Sequence, residues 1–233
     1  MSQYQYYEFL AIDRPLNRSA QEQLRSISSR AAITASSFIN HYEWGDFKGD
    51  PQKFMERWFD LHLYLTNWGT RRLMLRVPKR CLDPEDLDPF LGTVEDAVEV
   101  SIAGDNVIVS IAFDELDLEY DGESDSNRLR TLVPLRAQLI SGDLRLFHLV
   151  WLTGVQHELT EDDEIEPLPG IGPLTVALES FVEFFIIDPD LVQKCLQAPH
   201  CRYSRAARHQ ANVSRWAGQA KLLRASAGGT CAL

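Results

Sequence analysis

Between Leu61 and Val77 apolar and polar residues alternate without a break on either side of Asn67-Trp68-Gly69. Period-two alternation is the signature of a strand with unlike faces, and a three-residue loop ending in a left-handed glycine is a common hairpin connection. The spacing predicts a hairpin with Leu61 opposite Leu75 and Leu63 opposite Leu73. One face is then aliphatic, and the other carries His62, Tyr64 and Thr66 against Arg72, Met74 and Arg76. Tyr64 and Arg72 fall opposite each other, where a cation–π contact is available. A second alternating stretch, 97–114, predicts another hairpin around Gly104-Asp105-Asn106.

Residues 4–12, aromatic and aliphatic, read as a first strand stopped by Asp13-Arg14-Pro15. Ser19 with Glu22 three residues on has the form of a capping box, and Leu24, Ile27 and Ala31 continue at helical spacing, which predicts a helix over 19–31. The β-branched and aromatic run 33–44 reads as a second strand. Asp50 before Pro51 is a helix start, with Phe54, Met55, Trp58 and Phe59 as the apolar face. The loop 42–54 is therefore a structural entry into that helix, with Gly45 and Gly49 permitting the tight path. Asp46 and Asp50 also raise the thought of a calcium loop, but the twelve-residue ligand spacing and its terminal Glu are missing.

Past a polar, turn-rich segment at 121–127 the period lengthens to near 3.6. Leu135–Ile140, Leu144, Phe147, Trp151 and Val155, then Leu174, Ala177, Leu178, Phe181 and Phe185, and a last run Leu191–Leu196, predict a small helical bundle with a long loop at 161–173. The fold expected is α+β: an N-terminal sheet domain of β-α-β-α-β-β order over 1–122, for which a ferredoxin-like arrangement is one construction, with an extra hairpin. A helical domain over 128–197 and a basic, poorly ordered tail over 198–233 follow.

Charge refines this picture. The net charge is −11, yet Asp83–Asn127 and Leu146–Gln193 contain no Lys or Arg, whereas from Lys194 onward there are basic residues and no acidic one. An acidic chain argues against a polyanion as main partner. No basic-then-apolar leader opens the chain, no apolar run reaches membrane-spanning length, and four cysteines make no disulfide framework. These features point to a cytoplasmic protein without a membrane partner.

Candidate chemistry is sparse. There is no nucleophile elbow, no phosphate-binding P-loop and no dinucleotide turn, so no cofactor is expected. His148 sits within an apolar helix and reads as a core residue. The one general acid/base cluster is His41 and His62 with Glu43 and Asp46. Cys195, His200, Cys201, His209 and Cys231 offer zinc-ligand chemistry, but their spacing matches no closed zinc site, and no metal is expected. For binding, Tyr64, Trp68, Arg72, Arg76, Trp44 and Lys48 form a basic-aromatic set. Three readings follow: a non-catalytic adaptor meeting a protein partner; an enzyme or small-molecule binder with a pocket between the 41–50 loop and the 61–77 hairpin; and a nucleic-acid-associated protein using the 62–76 face or the basic tail. The ordinary reading of that face is a solvated or helix-covered sheet, which weighs against the nucleic-acid reading; the adaptor comes first, its acidic surfaces and the Trp68/Arg72 face meeting the partner.

The phrases "YYEFLAIDRPL" (6–16), "WGDFKGDP" (44–51), "NWGTRRLMLRVP" (67–78) and "LRLFHLVWL" (144–152) resemble a family of hypothetical bacterial proteins, with the likeness running over roughly residues 4–195. The resemblance implies a bacterial cytosolic protein and brings no catalytic residue with it. Beyond it the composition turns abruptly to Arg, Ser, Ala and Cys, which is what a change of reading frame near Cys195 would leave; a true basic tail is the other reading.

Overall fold

The computed structural model describes residues 4–45, 47–91, 94–116, 128–157, 159 and 171–197. The described strands make one sheet in the order β2-β3-β1-β4-β5-β7-β6, comprising β1 (Gln5–Leu10), β2 (Ala32–Ile33), β3 (Ser37–Tyr42), β4 (Leu61–Thr66), β5 (Arg71–Pro78), β6 (Val98–Ala103) and β7 (Asn106–Phe113). Every pairing is antiparallel. The fold is α+β as expected. A ferredoxin-like sheet, which places two strands parallel through split βαβ units, finds no counterpart in these pairings.

Both faces of the sheet are covered. Even-numbered β1 residues and odd-numbered β4 and β5 residues (Tyr6, Leu61, Leu63, Leu73, Leu75) join a hydrophobic cluster with α4 (Arg128–Ile140), α5 (Arg145–Gln156), α6 (Val176–Phe185) and α7 (Pro189–Gln197). The short α3 (Asp88–Leu91) adds Phe90 to it. Tyr7, Phe9, Phe38, Met74 and Ile108 point the other way, into a second cluster with Leu24 of α1 (Arg18–Ile27) and Phe54 and Met55 of α2 (Pro51–Arg57). The boundary drawn at 121–127 lies outside the described residues, as does the tail 198–233; the helices on the far side of that boundary share the sheet's larger cluster.

Local chemistry explains most element ends. Asp50 accepts from the Lys53 amide and Pro51 opens α2, as the sequence indicates. α1 is capped by Asn17, whose side chain accepts from the Ala20 amide at 2.8 Å, rather than by Ser19. Glu22, assigned to a capping box, instead pairs with Arg18 at 3.0 Å. α1 ends at Ile27, four residues short of the expected stop, and Ser28 turns its hydroxyl to Asn40. The strand expected over 33–44 is two strands, because the Thr34 hydroxyl bonds both the Ser37 hydroxyl and the Ser36 amide and closes a turn. On the helical side Arg71 reaches the Phe184 carbonyl at the end of α6 and lies over the Phe184 ring, 5.2 Å from its centre. A cation there complements the negative end of the helix.

The β4–β5 hairpin has the predicted register, Leu61↔Leu75, Leu63↔Leu73 and Tyr64↔Arg72. Gly69 has φ +96°, and a Cβ there would fall 2.7 Å from the Leu116 carbonyl oxygen and 2.8 Å from its nitrogen. Gly69→Ala combines a left-handed backbone with a backbone clash. It is expected to cost roughly 2–3 kcal/mol, read as a lower midpoint in urea unfolding.

Candidate functional site

The registers decide the fate of the acid/base cluster. Tyr6 pairs with His41 across β1–β3, and Phe9 pairs with His62 across β1–β4. Neighbouring positions on a strand face opposite sides, so the two histidines lie on opposite faces of the sheet. His41 is exposed, 3.3 Å from the Tyr4 hydroxyl through Nδ1, with its ring 5.1 Å from that of Tyr6. His62 is wholly buried and stacks on Phe9 at 3.9 Å between ring centres. Its Nδ1 lies 3.0 Å from the Glu8 carbonyl oxygen, which can only accept, so Nδ1 carries the proton and Nε2 keeps its lone pair. Burial pushes the His62 pKa down to about 3, and the Arg72 charge acts in the same direction. Nε2 has no hydrogen-bond partner among the described residues. This imidazole is a packed neutral ring, sealed from solvent. Glu43 is exposed in the loop after β3, and Asp46 lies outside the described residues.

The basic-aromatic set divides in a similar way. Tyr64 is half-buried, donating to Gln5 Oε1 at 3.3 Å with its ring 4.5 Å from that of Tyr7. Arg72 is half-buried beside it. Arg76 is committed to structure: Nε and Nη2 reach Asp60 Oδ1 at 3.2 and 2.7 Å, and Nη1 donates to the Met55 and Glu56 carbonyls at the end of α2. Trp44, Trp68 and Lys48 remain exposed, the two indoles at 74% and 46%. Both tryptophans belong to loops fastened to the start of β1. Tyr4 exchanges two hydrogen bonds with Asn67, and the Gln5 amide donates to the Gly45 carbonyl. Trp44 and Trp68 therefore stand at the same end of the sheet, on either side of β1.

A concave site forms elsewhere. A cleft of about 670 Å³ opens between the 13–17 loop, the first turns of α1, the end of α2 at Glu56–Trp58 and the turn between β6 and β7. Of the candidate catalytic and binding residues named from sequence, Arg76 is the one among the described residues that lines it. Beneath it runs an ion network. Asp60, fully buried, accepts from the Ile12 and Asp13 amides at 2.6 and 2.9 Å and from Arg76. Arg136 of α4 bonds both oxygens of Asp13 at 2.9 and 2.5 Å, donates to the Arg76 carbonyl, and comes within 3.6 Å of Asp60. The Arg136 guanidinium holds the Asp13 carboxyl below its usual range. Two carboxylates and two guanidinium groups thus neutralise one another and join the helical layer to the sheet.

Glu8 escaped the sequence reading. It is buried on the helical face of β1, its Oε2 accepting from the Tyr6 hydroxyl at 2.9 Å, and burial pushes its pKa up to about 7. A Glu inside the run YQYYEFL, flanked by large apolar residues, is the local signal for it. For metals, no group of three ligating side chains assembles among the described residues; Cys195 is buried on α7, Cys81 is partly buried, and His200, Cys201, His209 and Cys231 lie outside the described residues. No described helix is long and apolar enough to cross a membrane. Comparison with protein-family models, with curated proteins and with solved structures finds no match in any of the three.

Proposed function

We propose that the protein is a non-catalytic interaction protein of the cytosol that engages a protein partner through the end of the sheet bearing Trp44 and Trp68. The observation that carries this reading is the pair of exposed indoles on loops that are fastened on both sides of β1, through Asn67 to Tyr4 and through Gly45 to Gln5. Tryptophan on a rigid support is the side chain most often found to dominate a protein interface, because it removes a large apolar area from water at little entropic cost. The groups that would have argued for catalysis support the same reading by their placement: His41 and His62 are separated by the sheet, and Arg76 is spent on Asp60.

The test is affinity capture of the full chain from its native cytosol, followed by mass spectrometry and sizing of the complex. A stoichiometric partner is expected, with the Trp44→Ser, Trp68→Ser double variant weakening it by roughly 3 kcal/mol or more, over a hundredfold in Kd. Because both side chains are exposed, the variant's thermal midpoint should stay where it is. A partner retained at full affinity by the double variant, or a lone monomer with no partner, would overturn the proposal.

A further inference from the structure

We propose that the cleft between α1, the end of α2 and the β6–β7 turn is a binding site for a sugar phosphate. Its volume, about 670 Å³, falls within the usual size of small-molecule sites, roughly 300–1,000 Å³. Its walls carry three kinds of chemistry. Arg14 and Arg57 supply guanidinium groups, Trp58 a half-buried aromatic ring, and Glu56 and Asp105 exposed carboxylates.

Arg14 and Arg57, like Arg30 and Arg80, have no ion pair among the described residues, and unlike those two they line the cleft. In this acidic chain Arg18 is paired with Glu22, Arg76 with Asp60, Arg136 with Asp13 and Arg145 with Asp143. Among the described residues Arg14 and Arg57 form no ion pair and no side-chain hydrogen bond; Arg57 lies over the Trp58 ring at 5.3 Å. The other charges of the same wall are already satisfied, because Asp13 is held by Arg136 and Arg76 by Asp60. What the cleft offers a ligand is therefore two forked cations and two carboxylates. A guanidinium fork matches phosphate oxygens. The carboxylates would repel an extended polyanion, but they accept hydrogen bonds from hydroxyl groups. An aromatic ring takes the C–H face of a sugar. A compact molecule with one phosphate, several hydroxyls and an apolar ring face fits all three.

The site lies away from Trp44 and Trp68, so its test is independent of the partner surface. Glucose 6-phosphate and ribose 5-phosphate are titrated into the full chain by calorimetry and by tryptophan fluorescence, beside glucose, ribose and inorganic phosphate. The sugar phosphates are expected to bind at least about tenfold tighter than either part alone, and Arg14→Gln or Arg57→Gln to lose about tenfold each. Trp58→Phe should abolish the fluorescence change, and the arginine variants should keep the wild-type thermal midpoint without ligand, since both side chains are exposed. No binding of either sugar phosphate at millimolar concentration, equal affinity for inorganic phosphate, or undiminished binding by the Arg14→Gln, Arg57→Gln double variant would each overturn the assignment.

Discussion

Replacing Asp60 with alanine is expected to lower the unfolding free energy by roughly 3–5 kcal/mol, the largest loss for any single charged side chain discussed above. The carboxylate has no exposure and ends four hydrogen bonds, two from backbone amides of the 12–13 turn and two from Arg76. Its removal strands both amides and leaves Arg76 and Arg136, with 13% and 6% of their side chains exposed, sharing Asp13 as their one nearby carboxylate among the described residues. An uncompensated buried cation is what makes the loss large; the attraction lost within the pair is a smaller part of it. Asp13→Ala should cost less, because 48% of that side chain is exposed and Asp60 remains 3.6 Å from Arg136. Urea unfolding of the two variants checks the order, and equal losses would show that the network is not centred on Asp60. The cleft should loosen with Asp60→Ala as well, since the 13–17 loop forms one of its walls.

This network shows why some of the fold was legible in the sequence and some was not. The β4–β5 hairpin was read to its register because alternation and a loop glycine lie within seventeen consecutive residues. Asp50-Pro51 was read for the same reason: cap and helix are adjacent. Asp13 and Arg136 are 123 positions apart, and no local pattern announces such a pair. The α1 cap shows a subtler limit. Asn17 and Ser19 are both good caps, and Glu22 seemed to favour Ser19 until Arg18 took Glu22 as its own partner. His41 and His62 looked like neighbours because they belong to aromatic strands near one loop. Which face each takes depends on two inter-strand registers that alternation within a single strand does not specify. The exposed tryptophans were visible because each sits beside a glycine turn. The cleft was not, because its walls come from separate segments that only the packing of α1 and α2 on the sheet brings together.

Unfolding free energy should rise by about 1.4 kcal/mol per pH unit between about 4.5 and 6.5, and Glu8→Gln should double that slope. Glu8 has a folded pKa near 7 against an ordinary 4.5, so the folded state holds a proton that the unfolded chain has released. Stability from Glu8 is full below about 4.5 and is lost as pH rises through 7, amounting to about 3 kcal/mol in all. His62 and His148 have the opposite sign. Their folded pKa values, near 3 and near 4 against 6.5, mean that the unfolded chain takes two protons that the buried rings refuse, so stability is full above 6.5 and is lost as pH falls. In the shared window each group contributes about 1.4 kcal/mol per pH unit, Glu8 with one sign and the two histidines with the other, so Glu8 cancels one histidine and the second sets the slope. Glu8→Gln leaves the dependence on the two histidines alone: its stability should rise with pH from 4.5 to 6.5 about twice as steeply as wild type and exceed wild type at pH 8 by up to about 3 kcal/mol, the cost of ionising a carboxyl beside Tyr6 having disappeared. His62→Gln should be nearly flat across the same window, because the remaining Glu8 and His148 contributions cancel. Urea titrations of the three proteins at pH 5, 6.5 and 8 separate the two effects. Parallel pH curves for wild type and Glu8→Gln would mean that Glu8 is ionised in the folded protein at pH 5, and that solvent reaches the inner face of β1 despite the helices packed over it.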